Sequence, residues 1–190
     1  MNNDLIKGNI TKSLIMFSIP MILGNLLQQL YNITDTFIVG QYIGPNALAA
    51  VGSSYTLMSF LTSIVLGLCM GSGVLFSMLF GAKQYDRMKN ACFVSFMSIG
   101  IFALILEILC LQCIDPILTF MNIPKDIYLE TFQYLRMIFI GIVFTFLYNY
   151  LSSLLRAIGD SKTPLIFLVI SSVLNIFLDL LLILSLHMGV

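Results

Sequence analysis

LIMFSIPMILGNLLQQLYNITDTFIV (residues 14–39) is an apolar run with no Lys or Arg, yet it holds Asp35. A helix needs about 20 mostly apolar residues to cross a bilayer, so the run is long enough to span one. A carboxylate at that depth costs roughly 2.5–3.5 kcal/mol on insertion scales. A second run, PLIFLVISSVLNIFLDLLLILSL (164–186), repeats the arrangement with Asp179. Something must offset each cost: a proton, a metal cation or a partner side chain.

The rest of the composition agrees with a membrane setting. The chain has 190 residues, 59% hydrophobic and 9% charged, with mean hydropathy +1.00. Soluble domains run near 25% charged, so the lipid bilayer is the first partner. The net charge of zero leaves no basic surface for nucleic acid. Trp is absent, so Tyr is expected to supply the interfacial anchors. The start, MNNDLIKGNITKSL, lacks the short apolar core and small-residue cleavage site of a signal peptide.

Hydropathy places five spans near 14–39, 47–80, 91–114, 128–155 and 164–186, each read as one helix. The fold class is therefore all-α and polytopic. GAKQYDRMKNA (81–91), DPILTFMNIPKD (115–126) and RAIGDSKTP (156–164) are the hydrophilic breaks. Thr163 followed by Pro164 reads as an N-cap with proline at the first helical position. Alternation of the spans puts Lys7, Lys12, Lys83, Arg87, Lys89, Arg156 and Lys162 on one side, and Lys125 and Arg136 on the other. The positive-inside rule then sets the N-terminus in the cytoplasm and Val190 outside the plasma membrane. An odd number of spans ending at HMGV leads to the expectation that the chain stops mid-architecture.

Polar residues recur with helical spacing. Asn25, Gln28, Gln29, Asn32 and Asp35 form one stripe, Thr145, Tyr148, Asn149, Ser152 and Arg156 a second, and Ser171, Ser172, Asn175 and Asp179 a third. The neutral members fit either glue between helices or the lining of a shared cavity, with Gln28, Gln29, Asn32, Asn149 and Ser171 as lining candidates. Asp35 lies about 31 Å along its helix from Leu14, and Asp179 about 22 Å from Pro164. Both fall in the outer half, and tilt can bring them level. Asn175, one turn before Asp179, can add an amide oxygen. Carboxylate plus amide oxygen suits a hard cation or a shared proton.

Other features have simpler readings. Glu107 and Arg136 share the outer level and are expected to pair, unless Arg136 serves Asp35. Pro20 removes a helical hydrogen bond and is a candidate hinge. Gly67 and Gly71, with Gly73 near, suggest close helix packing, and Gly40 and Gly44 before Pro45 suggest a turn. Cys69, Cys92, Cys110 and Cys113 read as ordinary thiols, and His187 as interfacial. Eleven Met residues suit an adaptable cavity or plain membrane filler.

Two stretches carry a resemblance. PMILGNLLQQLYNITDTFIVGQYIGPNALAAVG (20–52) resembles the first helix and following turn of multidrug and toxic compound extrusion (MATE) transporters. RAIGDSKTPLIFLVISSVLNIFLDLLLI (156–183) resembles their fourth-to-fifth helix connection and fifth helix. The resemblance implies five transmembrane helices of a six-helix MATE-type N-lobe, with the sixth helix and the C-terminal lobe absent and the missing half as a possible partner. It also implies that Asp35, Asn175 and Asp179 form a cation site, a metal site if the ion is Na+. The implied activity is exchange of inward H+ or Na+ for outward organic cations or drugs, with no cofactor beyond that ion. A fragment that needs a partner chain, or a related exporter of lipid-linked or polysaccharide intermediates, are the alternatives. No nucleotide-binding loop or nucleophile–base arrangement stands in the sequence, so an enzyme is not expected.

Overall fold

The computed structural model describes residues 10–186, and all seven elements among them are helices: α1 (Ile10–Tyr42), α2 (Pro45–Gly81), α3 (Tyr85–Gln112), α4 (Ile114–Phe120), α5 (Tyr128–Ile140), α6 (Ile142–Ala157) and α7 (Lys162–Leu186). Lys7 and His187 lie outside the described residues. α1, α2, α3 and α7 are each long and apolar enough to span a membrane, and α5 with α6 makes a fifth span bent by 42°.

Tight turns join the spans. Gly44 adopts φ 122° and is followed by Pro45 at the start of α2. That left-handed backbone favours glycine, and the proline gives up an amide hydrogen that a first turn leaves unbonded anyway. At the opposite end of the bundle, Gly159 at φ 91° turns the chain into α7.

The helices form two groups. α2, α3, α5 and α6 pack together, with α4 beneath α3 and α5. Their shared core holds Val65, Phe76, Leu118, Leu135, Phe139 and Phe146, all at most 2% exposed. Phe96, Phe146 and Tyr150 stack within it. The Tyr150 hydroxyl donates to the Cys92 carbonyl at 2.7 Å and meets the Ser95 hydroxyl at 2.9 Å, so the buried polar tip is satisfied. α1 and α7 form the second group. They pack on each other, and α1 also touches α2, where Val39 joins Ala47 and Val51.

Several sequence expectations change. The 128–155 segment is two helices rather than one. The break falls at Gly141, whose N–H turns back to the Ile138 carbonyl at 2.8 Å. A Cβ on Gly141 would lie 3.0 Å from that carbonyl oxygen, so a side chain there would press on the turn. The 115–126 break contains α4, which buries Ile114 and Leu118. Glu107 and Arg136 do not pair. The Glu107 Oε2 accepts the Val143 N–H at 3.2 Å, and Arg136 is exposed. The first turn of α6 supplies donors with no helical acceptor, and one of them satisfies Glu107 without an arginine.

Gly67 and Gly71 face open space, and the close approach is at Gly73, where a Cβ would meet the Ser153 Cβ at 3.3 Å. Thr163 is not the N-cap of α7. Asp160 takes that role, accepting the N–H groups of Lys162 at 3.1 Å and Thr163 at 3.0 Å and the Thr163 hydroxyl. A carboxylate two residues ahead of the helix offers two oxygens where Thr163 offers one.

Candidate functional site

The α1–α7 contact brings the two intramembrane aspartates together. Asp35 and Asp179 sit within electrostatic range of each other. Both are partly buried, and neither is ion-paired: among the described residues the ion pair is Lys89–Asp86, at an exposed helix start. Arg136 therefore does not serve Asp35. Asn175, one turn before Asp179 on α7, has its Oδ1 buried without a hydrogen-bond partner, and Asp179 Oδ2 is in the same state. A buried acceptor left unbonded costs about 1–3 kcal/mol. Two such acceptors stand one turn apart on one face of α7.

Two tyrosines complete the surroundings. Tyr31 lies four residues before Asp35 on α1 and interacts electrostatically with both Asp35 and Asp179. Tyr134, on α5, lies within electrostatic range of Asp35 and Tyr31. Sequence reasoning assigned tyrosines to membrane anchoring and missed both. The signal for Tyr31 was present, since a spacing of four places it on the Asp35 face. Tyr134 had none, because it comes from a helix that does not pack on α1.

The lining candidates separate. Gln29 and Asn32 border an open groove of ≈ 550 Å³ along α1 and the start of α2, with Thr36, Phe37, Gln41 and Tyr55. Gln28 and Ser171 are exposed and lie outside that lining. Asn149 is engaged elsewhere, donating to the Thr145 carbonyl at 2.8 Å. Asp35, which spacing places on one stripe with Gln29 and Asn32, is not among the residues that line the groove. Pro20 is buried inside α1, toward the end remote from Asp35.

The MatE family model matches residues 20–181. The chain belongs to the MatE family. It is similar to the probable multidrug resistance proteins YpnP and YoeA of Bacillus subtilis, at 34% identity over 98% of the chain and 32% over 90%. It spans only 42% and 37% of those relatives' lengths. Among solved structures, a crystal structure of MATE in complex with MaD3S superposes with a TM-score of 0.90 at 28% identity, covering 97% of this chain and 41% of that one. The all-helical fold of this MatE chain is thus that of an N-terminal MATE lobe, with four long spans and a bent fifth.

Proposed function

We propose that this chain forms the cation-responsive lobe of an antiporter that exports small organic cations across the plasma membrane in exchange for H+ or Na+. One observation carries the reading: Asp35 and Asp179 lie within electrostatic range of each other, neither ion-paired among the described residues, with an unpartnered Asn175 oxygen one turn before Asp179. Two like charges held together in low dielectric repel strongly. A proton shared between them or a sodium ion bound by their oxygens relieves that repulsion. The coupling ion is therefore an intermittent guest.

The groove along α1 and the start of α2 takes the exported compound. Its volume of ≈ 550 Å³ falls within the range of small-molecule sites, about 300–1,000 Å³. Phe37 is 66% and Tyr55 60% exposed there, and their ring faces attract cations. Gln29 and Asn32 add amide oxygens. Ion entry from outside lets α1 repack against α7, bending at Pro20, and loosens the grip of the groove. Release of the ion to the cytoplasm resets it. The ion drives this cycle only through its different affinity for the two arrangements. The positive-inside distribution supports an N-terminus in the cytoplasm.

The test is efflux of a fluorescent organic cation from cells making the complete gene product. Asp35→Asn is expected to abolish cation-driven efflux while the protein still reaches the membrane. Undiminished, cation-dependent efflux in that variant would remove the reading.

A further inference from the structure

We infer that the turn between α2 and α3 docks the phosphate headgroup of an anionic phospholipid, with Lys83 and Arg87 as its contacts. The inference is independent of the coupling-ion reading above. Three of the described helices close on one hydrogen-bond pattern. At the end of α2 the Gln84 N–H donates to the Leu79 carbonyl at 2.9 Å, and the Lys83 N–H to the Phe80 carbonyl at 3.0 Å. The same pair of bonds ends α4 at Asn122 and α6 at Gly159. The pattern requires a left-handed backbone where Lys83, Asn122 and Gly159 stand, usually supplied by glycine and sometimes by asparagine. Gly159 at φ 91° and Asn122 at φ 52° follow that rule. Lys83, at φ 58°, is the exception. Lysine brings a Cβ that this backbone disfavours, and its side chain adds nothing to the hydrogen bonds of the turn. A residue held in such a conformation calls for a use outside the fold.

The surroundings identify that use. Lys83 and Arg87 are exposed, and the ion pair in this turn is Lys89–Asp86, 4.0 Å apart. Asp86 is the single acid against Lys83, Arg87 and Lys89 within residues 81–90. Arg87 Nη1 donates to Gln84 Oε1 at 3.1 Å. That bond steadies the guanidinium and leaves the rest of its donor fork for an outside acceptor. Phe80 and Tyr85 flank Lys83 in the chain and pack edge-on, with ring centroids 5.9 Å apart. Phe80 lies at the end of the apolar α2, and Tyr85, 51% exposed, opens α3. Amphipathic rings such as tyrosine sit at the headgroup level of a bilayer, so the basic groups beside them stand at the depth of lipid phosphates. Lysine supplies a point charge there, and arginine a fork that matches phosphate oxygens. The excess of basic residues at this end of the bundle accounts for charge in the turn. It does not account for lysine at the one position of the turn where glycine fits best. A lysine in place of Gln84, at φ −90°, would supply the same charge without that backbone.

The experiment uses the complete gene product in neutral detergent micelles and follows its melting temperature against added phosphatidylglycerol. The lipid is expected to raise the melting temperature in a saturable way that weakens with salt. Lys83→Gly should raise the half-saturating lipid concentration about fivefold, the scale of one basic residue at an anionic surface. The same variant should melt higher than wild type when no lipid is added, because glycine fits the turn. Arg87→Gln should weaken the lipid effect similarly without that gain. Lys83→Gly combined with Asn90→Lys restores the charge of the loop at another exposed position and should leave the lipid affinity low. This combined variant also replaces Lys83→Gly if the single variant does not insert. Full recovery of affinity in it would show that loop charge alone suffices and would overturn the inference. So would an unaltered lipid concentration in Lys83→Gly, an equal effect of phosphatidylcholine, or a lower lipid-free melting temperature in Lys83→Gly. Inorganic phosphate should leave the melting temperature unchanged. A rise equal to that from phosphatidylglycerol would assign the turn to free phosphate and overturn the lipid.

Discussion

Asp35 and Asp179 stand on different helices, and neither is ion-paired among the described residues. Tyr31 lies within electrostatic range of both aspartates, and Tyr134 within range of Asp35. Tyr134→Phe removes a donor and keeps the ring, so it should weaken coupling-ion affinity about threefold to tenfold without loss of fold. Ion titration of purified protein checks this, and an unaltered affinity would separate Tyr134 from the site. Asp35, Asn175 and Asp179 were legible because acids and amides are rare in apolar runs and their spacing fixes a helix face. Tyr134 was not, since nothing in a sequence says which distant helix leans toward an aspartate. Asp160 offers a second residue-scale test outside the membrane. Hydrogen bonds from the Thr163 hydroxyl, and then from its backbone N–H, hold the Asp160 carboxyl below the usual carboxylate range. A folded value below the unfolded one makes its contribution complete above roughly pH 4 and lost as pH falls through the folded value. Asp160→Ala should cost about 1 kcal/mol at neutral pH. In thermal melts, the gap between wild type and this variant should close under acid. A gap that widens there would contradict the cap.

At the scale of elements, glycines with the same sequence appearance do different things. Gly73 lets α2 approach α6, where a Cβ would sit 3.3 Å from the Ser153 Cβ and 3.4 Å from its carbonyl oxygen. Gly71 meets nothing within 4 Å. Gly73→Val should therefore destabilise by about 1–3 kcal/mol through overpacking. Gly71→Ala should be neutral or stabilise by up to about 1 kcal/mol through helix propensity. Denaturation in mixed detergent micelles ranks the two, and the reverse order would show that α2 and α6 are not packed as described. Spacing alone pointed to Gly67 and Gly71, because a small-xxx-small pattern records small residues and not which helix faces them. The break at Gly141 was hidden for a related reason. Residues 137–144 around it are uniformly apolar, and hydropathy does not register a turn made at one glycine with a glutamate on another helix as acceptor. Long apolar spans, by contrast, were readable from length and composition, which is all a bilayer demands of them.

For the whole molecule, the distribution of charge along the bundle predicts which end faces the cytoplasm. Lys12, Lys83, Arg87, Lys89, Arg156 and Lys162 gather at the end where α2 meets α3 and α6 meets α7, whereas Lys125 and Arg136 lie toward the Gly44 end. Cytoplasmic loops carry the excess of Lys and Arg, so the Gly44 end should face outward, and with it the Asp35–Asp179 pair near that end of α1 and α7. The chain carries its own reporter for this. Cys113 is exposed at the junction of α3 and α4 on the Gly44 end, while Cys69 and Cys110 are buried. A membrane-impermeant maleimide added to intact cells should label Cys113. A cysteine placed at exposed Gln84, between α2 and α3, should react only after the membrane is opened, in a background with Cys113→Ser. Labelling at Gln84→Cys in intact cells, with Cys113 protected, would invert the molecule. It would also turn the aspartate pair toward the cytoplasm, where an inward ion gradient would reach it last and could not load it from outside.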